Sequence, residues 1–458
     1  MLITLSIKAR GLHAPRSYLK EDHEPFPHPA RPCRHYYPHQ HRSTLAHCLQ
    51  RRLFFPVCSV HGRIPGGVGN NDPPARTHTQ EAAGPSPRLV ATYDGGLLTL
   101  DAATLRVIDD TKLDGFNRLN PVGDGRTVLV STQDGFRAHD TGTWTQPHGD
   151  HSHSYTMPPQ LTETTYAAAK PGHVVNHGGR TLLFGDRDGS IQELRIGDFN
   201  RAYQHRKLAK AQDIATITPH HGVAVPLSDN GGMLHTEGTE DERHSVLAVD
   251  AKNKEIARAD NCPGVHGEAT AANGVITVGC EDGVLIYRPS DNGGSFTKVT
   301  SPDSFGRIGN QAGSPVSPVV LGDYKTQKEP KEREQPTRIS LTNTQTGELR
   351  LVDLGASYSF RSLARGPHGE ALVLTDAGTL KKIDPATGSI TGTYPVVKQW
   401  VEPLKWQEAR PTLFVQGATA YVTEPAANKI HAVDIATGKV TATATTPAQL
   451  NELTGVSG

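Results

Sequence analysis

The chain has 458 residues, with 47 basic and 47 acidic side chains and a formal net charge of zero, so no field of one sign favours a nucleic acid or an anionic membrane as partner. Hydrophobic residues make up 35%, against 46 glycines and 33 prolines. No run of 18 or more apolar residues occurs, which excludes a helical membrane span and leaves many short strands joined by turns as the expected texture.

Residues 1–84 differ in kind from the rest. They hold nine of the 23 histidines and three of the five cysteines (Cys33, Cys48 and Cys58), with no hydrophobic period of 3.6 or 2. Met1-Leu2-Ile3-Thr4-Leu5-Ser6-Ile7 is apolar, but no basic stretch precedes it and no small-residue cleavage site follows, so it does not read as a signal peptide. A metal-collecting disordered tail, a linker and a start codon placed too far upstream all fit. The last fits best, because the composition matches no functional class. Two regions are therefore expected: an extension over 1–84, disordered or misassigned, and a β domain over 85–458.

From Pro87 a pattern recurs of strand, tight turn, strand ending in Asp, turn. The tight turns carry Asp94-Gly95, Asp134-Gly135, Asp188-Gly189 and Asp282-Gly283 between apolar runs, the strongest short-range hairpin signal. The closing turns share Asp101-Ala102-Ala103-Thr104, Asp384-Pro385-Ala386-Thr387-Gly388 and Asp434-Ile435-Ala436-Thr437-Gly438. Such hairpins repeating every 40–50 residues or so predict an all-β chain folded as a β-propeller. Inner-strand starts fall near Asn117, His173, His221, His266, Asn310, Phe360 and Leu413. The copy at Arg88 lacks its own inner strand, and Asn451-Glu452-Leu453-Thr454-Gly455 resembles Asn117-Arg118-Leu119-Asn120. The C-terminal strand is thus expected to close a ring of eight blades, with seven as the alternative.

Two groups of residues have the chemistry of metal ligands. Pro147-His148-Gly149-Asp150-His151-Ser152-His153 offers His148, Asp150, His151 and His153 from one short loop. Imidazole nitrogen and carboxylate oxygen are donors that zinc accepts. The second group comes from successive inner-strand starts, with His173 in Pro171-Gly172-His173, His220 and His221 in Pro219-His220-His221-Gly222, and His266 in Pro263-Gly264-Val265-His266-Gly267-Glu268. Equivalent positions on consecutive blades meet at one mouth of the channel, giving a three-imidazole site. His368 lies further into its blade and is left out. Cys262 and Cys280 flank the strand carrying His266 and are expected to form a disulfide, hence to belong to an oxidising compartment, with zinc ligation by the pair as the alternative. No Gly-x-Ser-x-Gly, His-Glu-x-x-His, phosphate loop or dinucleotide fingerprint occurs, so no catalysis is expected. The main alternative is a propeller hydrolase or oxidoreductase using the channel metal. A propeller that serves only as a protein-binding scaffold is a third.

Phe116-Asn117-Arg118-Leu119-Asn120-Pro121, His148-Gly149-Asp150-His151, His220-His221-Gly222-Val223-Ala224-Val225, Cys262-Pro263-Gly264-Val265-His266-Gly267-Glu268 and Gly306-Arg307-Ile308-Gly309-Asn310-Gln311-Ala312-Gly313 resemble the AztD-type zinc metallochaperones of bacteria. The resemblance runs from about residue 88 onward. It implies a secreted β-propeller that binds Zn2+ and hands it to the solute-binding protein of a zinc ABC importer. It also implies two zinc sites, His148, Asp150, His151 and His153 in one and the channel histidines in the other. A periplasmic or cell-surface monomer is then expected. The chain departs from the family at its N-terminus, where an export signal or lipobox should stand.

Overall fold

A computed structural model describes residues 79–458, apart from 205–206, 228–230, 292 and 331–332. The histidines and cysteines of residues 1–78 lie outside the described residues. The chain is all-β. Among the described residues there are eight four-stranded antiparallel sheets, one three-stranded sheet, and a single α-helix, Ile196–Gln204. Successive four-stranded meanders are what a β-propeller is built from.

The seven starts read from the sequence lead into Leu119–Pro121, Pro171–His177, Ala224–Pro226, Glu268–Thr270, Gln311–Ala312, Tyr358–Arg365 and Leu413–Gln416, each the first strand of its sheet. The remaining sheet begins with the last strand of the chain. Leu450–Val456 pairs antiparallel with Arg88–Tyr93, in the register Arg88↔Val456, Ala91↔Leu453 and Tyr93↔Leu450. Glu452 N donates to Thr92 Oγ1 at 3.1 Å across 360 residues of sequence. Beside this seam Leu89, Ala91, Leu98 and Leu100 share one core cluster with Tyr421, Ile430, Leu450 and Leu453.

Burial explains the sequence texture. Second strands such as Arg88–Tyr93, Ile276–Cys280 and Ala371–Thr375 are buried along their whole length and read as mainly apolar runs without alternation. Fourth strands such as Val440–Thr445 alternate between half-buried and exposed residues. The repeated Asp-x-x-Thr marks the turn into that strand. Asp101 Oδ1 accepts from Thr104 N at 2.8 Å and Thr104 Oγ1 at 2.7 Å, and Asp434 Oδ1 takes the same bonds from Thr437 at 2.8 and 2.6 Å. An aspartate that binds the backbone two or three residues on builds the turn from its own side chain. The expected disulfide is present, joining Cys262 to Cys280, both fully buried.

The sheet of Leu119–Pro121, Thr127–Thr132 and Gly135–Asp140 takes its fourth strand from Gln160–Ala167. Between them a hairpin, Thr143–His148 with His151–Thr156, leaves the sheet and is joined on its far edge by Gln80–Ala82. Residues 143–156 are thus paired strands where the sequence reads as a loop around the histidines. The strand Gln80–Ala82 also precedes the boundary expected at residue 84.

One buried histidine away from both clusters makes stability depend on pH. His139 is fully buried, with Nε2 2.8 Å from Thr99 Oγ1, and burial depresses its pKa from 6.5 to about 4, the charge of Arg88 adding to the effect. A histidine with a lowered folded-state pKa takes up a proton on unfolding, so its contribution is complete above pH 6.5 and is lost as pH falls toward 4. At pH 5 the loss is about 2 kcal/mol by linkage. Denaturant titrations at pH 7 and pH 5 should show that loss in the native protein, and His139→Gln should shrink the difference by about that amount. An unchanged difference would assign the acid sensitivity elsewhere.

Candidate metal centres

The first cluster joins three sheets. His173 lies on Pro171–His177, whose pairing with the next strand is irregular between Pro171 and Val174. His221 and His266 precede Ala224–Pro226 and Glu268–Thr270. Their rings sit with centroids 5.3, 5.6 and 5.0 Å apart, and one nitrogen from each lies within 4.8 Å of the others.

Two of the rings are held from behind by a hydrogen bond at Nδ1, and the third makes an ion-pair contact there. The Nδ1 of His221 is 2.7 Å from Asp186 Oδ2, that of His266 is 2.6 Å from the Gly309 carbonyl, and that of His173 is 3.3 Å from Glu268 Oε2. Two glycines allow this closeness. A Cβ on Gly172 would lie 2.2 Å from Asp186 Oδ1, and Gly267, at φ +73°, presses against the Gly309 carbonyl, where a Cβ would lie 2.3 Å from the oxygen.

The tautomers follow. A carbonyl only accepts, so His266 carries its hydrogen on Nδ1, and the carboxylate of Asp186 asks the same of His221. Neutral rings in that state aim bare lone pairs from Nε2, and these two atoms face each other at 3.1 Å. Lone pairs at that distance repel unless a cation lies against both. A proton is disfavoured at His266, which burial first, and then the neighbouring His173, Arg307 and His221 charges, hold well below the ordinary histidine value. Burial also works against a charge on His173, but the Glu268 carboxylate outweighs it and raises that pKa. Imidazoles whose second nitrogen is fixed by a carboxylate or carbonyl, with buried carboxylates behind them, are the surroundings that zinc-ligating histidines have. The donor set fits a divalent metal.

The second cluster sits at the tip of the inserted hairpin. His148 and His151 are directly opposed across the two-residue turn, and His153 lies two residues on, so all three rings share one face of the ribbon. Gly149 takes φ +63° at the first turn position, where a two-residue hairpin calls for glycine. His151 Nε2 lies 3.4 Å from His148 Nδ1 and 3.0 Å from His153 Nε2. Behind them His151 Nδ1 is 3.1 Å from Asp150 Oδ1, and His153 Nδ1 is 2.7 Å from Glu81 Oε1. Unlike the first cluster this one is largely exposed. The hairpin root is firm, with Trp144 stacked on Tyr155 at 5.3 Å and the Arg126 guanidinium 4.1 Å over the Trp144 ring.

Six of the eight residues singled out from the sequence thus gather in two groups of three. Asp150 stands behind His151 rather than among the converging nitrogens. His220 turns away from His221 and is fully buried, with Nδ1 2.7 Å from Thr218 O and Nε2 2.8 Å from Thr236 Oγ1, so both ring nitrogens are engaged. His368 stands apart on an exposed turn whose amide donates to Glu370. Sequence reading passed over the backing groups Asp186, Glu268, Gly309 and Glu81. Asp186 shares the Gly185–Gly189 turn already read as part of the repeat, and Glu268 stands two residues from His266, so a signal existed for both.

No protein-family model matches the chain. It is 26% identical over 373 residues to the zinc chaperone AztD of Citrobacter koseri, spanning 77% of this chain and 82% of that protein. The chain resembles AztD. The likeness expected from the motifs is borne out at the level of fold too. The crystal structure of Citrobacter koseri AztD matches with a TM-score of 0.69 at 23% identity, over 82% of this chain and 99% of AztD. Dihydro-heme d1 dehydrogenase NirN matches with a TM-score of 0.51 at 12% identity, over 81% of this chain and 75% of NirN, and shares the fold alone.

Proposed function

We propose that the chain is a zinc metallochaperone of the AztD type that acts without catalysis. In this reading residues 85–458 form an eight-bladed β-propeller closed by Leu450–Val456, and residues 1–84 are an extension. It works in the periplasm or at the cell surface, in keeping with the Cys262–Cys280 disulfide, as a monomer delivering Zn2+ to the solute-binding protein of a zinc ABC importer. The observation that carries the reading is the pair of Nε2 atoms of His221 and His266 facing each other at 3.1 Å with hydrogen-bonded Nδ1 atoms behind them.

The two clusters divide the work. His173, His221 and His266 come from three separate sheets and are set before metal arrives, so little ordering entropy opposes tight binding. His148, His151 and His153 stand on an exposed hairpin tip, where an incoming ligand can reach zinc before the outgoing ones let go. Replacing His148 and His151 with alanine should slow zinc transfer to the accepting protein at least tenfold, while the channel keeps its one equivalent. Stopped-flow transfer to a zinc-binding acceptor, with elemental analysis of the donor, measures both. Transfer at the native rate would reduce the hairpin to a storage site.

A further inference from the structure

The two clusters share a plan that assigns a role to one residue outside both. In the channel, Asp186 and the Gly309 carbonyl each grip a ring by Nδ1 and so turn its Nε2 lone pair toward the other rings. On the hairpin, Glu81 stands in the same relation to His153. Its Oε1 is 2.7 Å from His153 Nδ1, and the opposite ring nitrogen, Nε2, is 3.0 Å from His151 Nε2. Glu81 comes from the separate strand Gln80–Ala82, which pairs with the hairpin in the register Glu81↔Tyr155 and Ala82↔Ser154. That main-chain pairing places the carboxylate without help from the histidines.

We propose that Glu81 is a positioning residue for metal at the hairpin. It accepts the Nδ1 hydrogen of His153, fixes the tautomer whose Nε2 is bare, and thereby orients that ring as a ligand. An exposed imidazole free of such a partner populates both tautomers and several rotamers, and each wrong state subtracts from affinity. Through Glu81 the strand 80–82 becomes part of the site, although it lies more than sixty residues before His148 in the chain. Removing residues 1–84 would therefore weaken this cluster and leave the channel cluster untouched.

The inference rests on the zinc reading of the hairpin, and the test separates the two. The full-length chain with His173, His221 and His266 changed to alanine isolates the hairpin. In that background zinc affinity is measured by competition with a chelator, and the His153 tautomer by 15N–1H correlation in the metal-free protein. Glu81→Ala should raise the zinc Kd roughly ten- to hundredfold, as loss of a ligand's backing group does. It should also shift His153 toward the Nε2-protonated tautomer. Glu81→Gln keeps an oxygen acceptor and should stay within a few-fold of the parent. Thermal midpoints should match throughout, since the strand pairs through its main chain. A Glu81→Ala protein with unchanged Kd and tautomer, or a Glu81→Gln protein as weak as it, would overturn the assignment alone. A parent that takes up no zinc at the hairpin would overturn the zinc reading with it.

Discussion

Changing His173, His221 and His266 together to alanine should remove one zinc per chain and abolish the thermal stabilisation that zinc confers through this cluster. The three rings bring lone pairs to one point from three sheets, and no other group of three among the described residues does so in a half-buried setting. A ligand that binds only the folded state stabilises it by about 4 kcal/mol at a thousand times its Kd. A zinc titration followed by Tm should therefore climb steeply in the native chain and lose that component in the variant. Without metal the variant should be somewhat less stable than the native protein, because the alanines leave the buried Asp186 carboxylate and the Gly309 carbonyl without their imidazole partners. Elemental analysis gives the stoichiometry independently. Full zinc content in the triple variant would move the tight site elsewhere.

Opening the disulfide has the second large effect. Cys262 and Cys280 close a loop with a sequence separation of 18, for which the chain-entropy account gives about 3 kcal/mol. Both sulfurs lie in the core cluster that holds Val223, Val265, Ile276 and Leu285, so Cys262→Ala with Cys280→Ala also leaves small voids there. His266 sits inside the closed loop, its amide donating to Gly279 O at 3.0 Å next to Cys280. Loss of the bridge should lower the denaturant midpoint and weaken any zinc binding at His266 together. The check is an unfolding titration with and without reductant, paired with a zinc competition. Equal midpoints, or free thiols mapped to Cys262 and Cys280 in the oxidised protein, would end the argument.

The propeller texture was legible because its determinants are local. Asp94-Gly95 and its counterparts encode the tight turns, the Asp-x-x-Thr runs encode the turns into the outer strands, and every repeat but the one at Arg88 announces its own first strand. His173, His221 and His266 could be aligned for the same reason, since equivalent positions in a repeat meet in space. His220 shows the limit of that logic. Its neighbour points to the cluster, and only the bonds of His220 to Thr218 and Thr236 show which of the two is turned away. The hairpin was harder to read. Thr143–His148 and His151–Thr156 lack an apolar alternation because neither face is fully buried, so the period that marks a strand is missing. Glu81 was invisible for a further reason, as its stretch has no period and its partner lies 72 residues away.

The pairing of Arg88–Tyr93 with Leu450–Val456 bears on the order of events at biosynthesis. While the chain is still emerging from the ribosome, each four-stranded meander can form as soon as its own residues are available. Arg88–Tyr93 must wait, with one edge carrying bare amides and carbonyls, until the final strand appears. Exposed edges of that kind invite pairing with other chains, and contacts so distant in sequence form slowly. Until Leu450–Val456 has emerged, the sheet that Arg88–Tyr93 belongs to cannot be completed, so its final pairing is among the last contacts that a nascent chain can make.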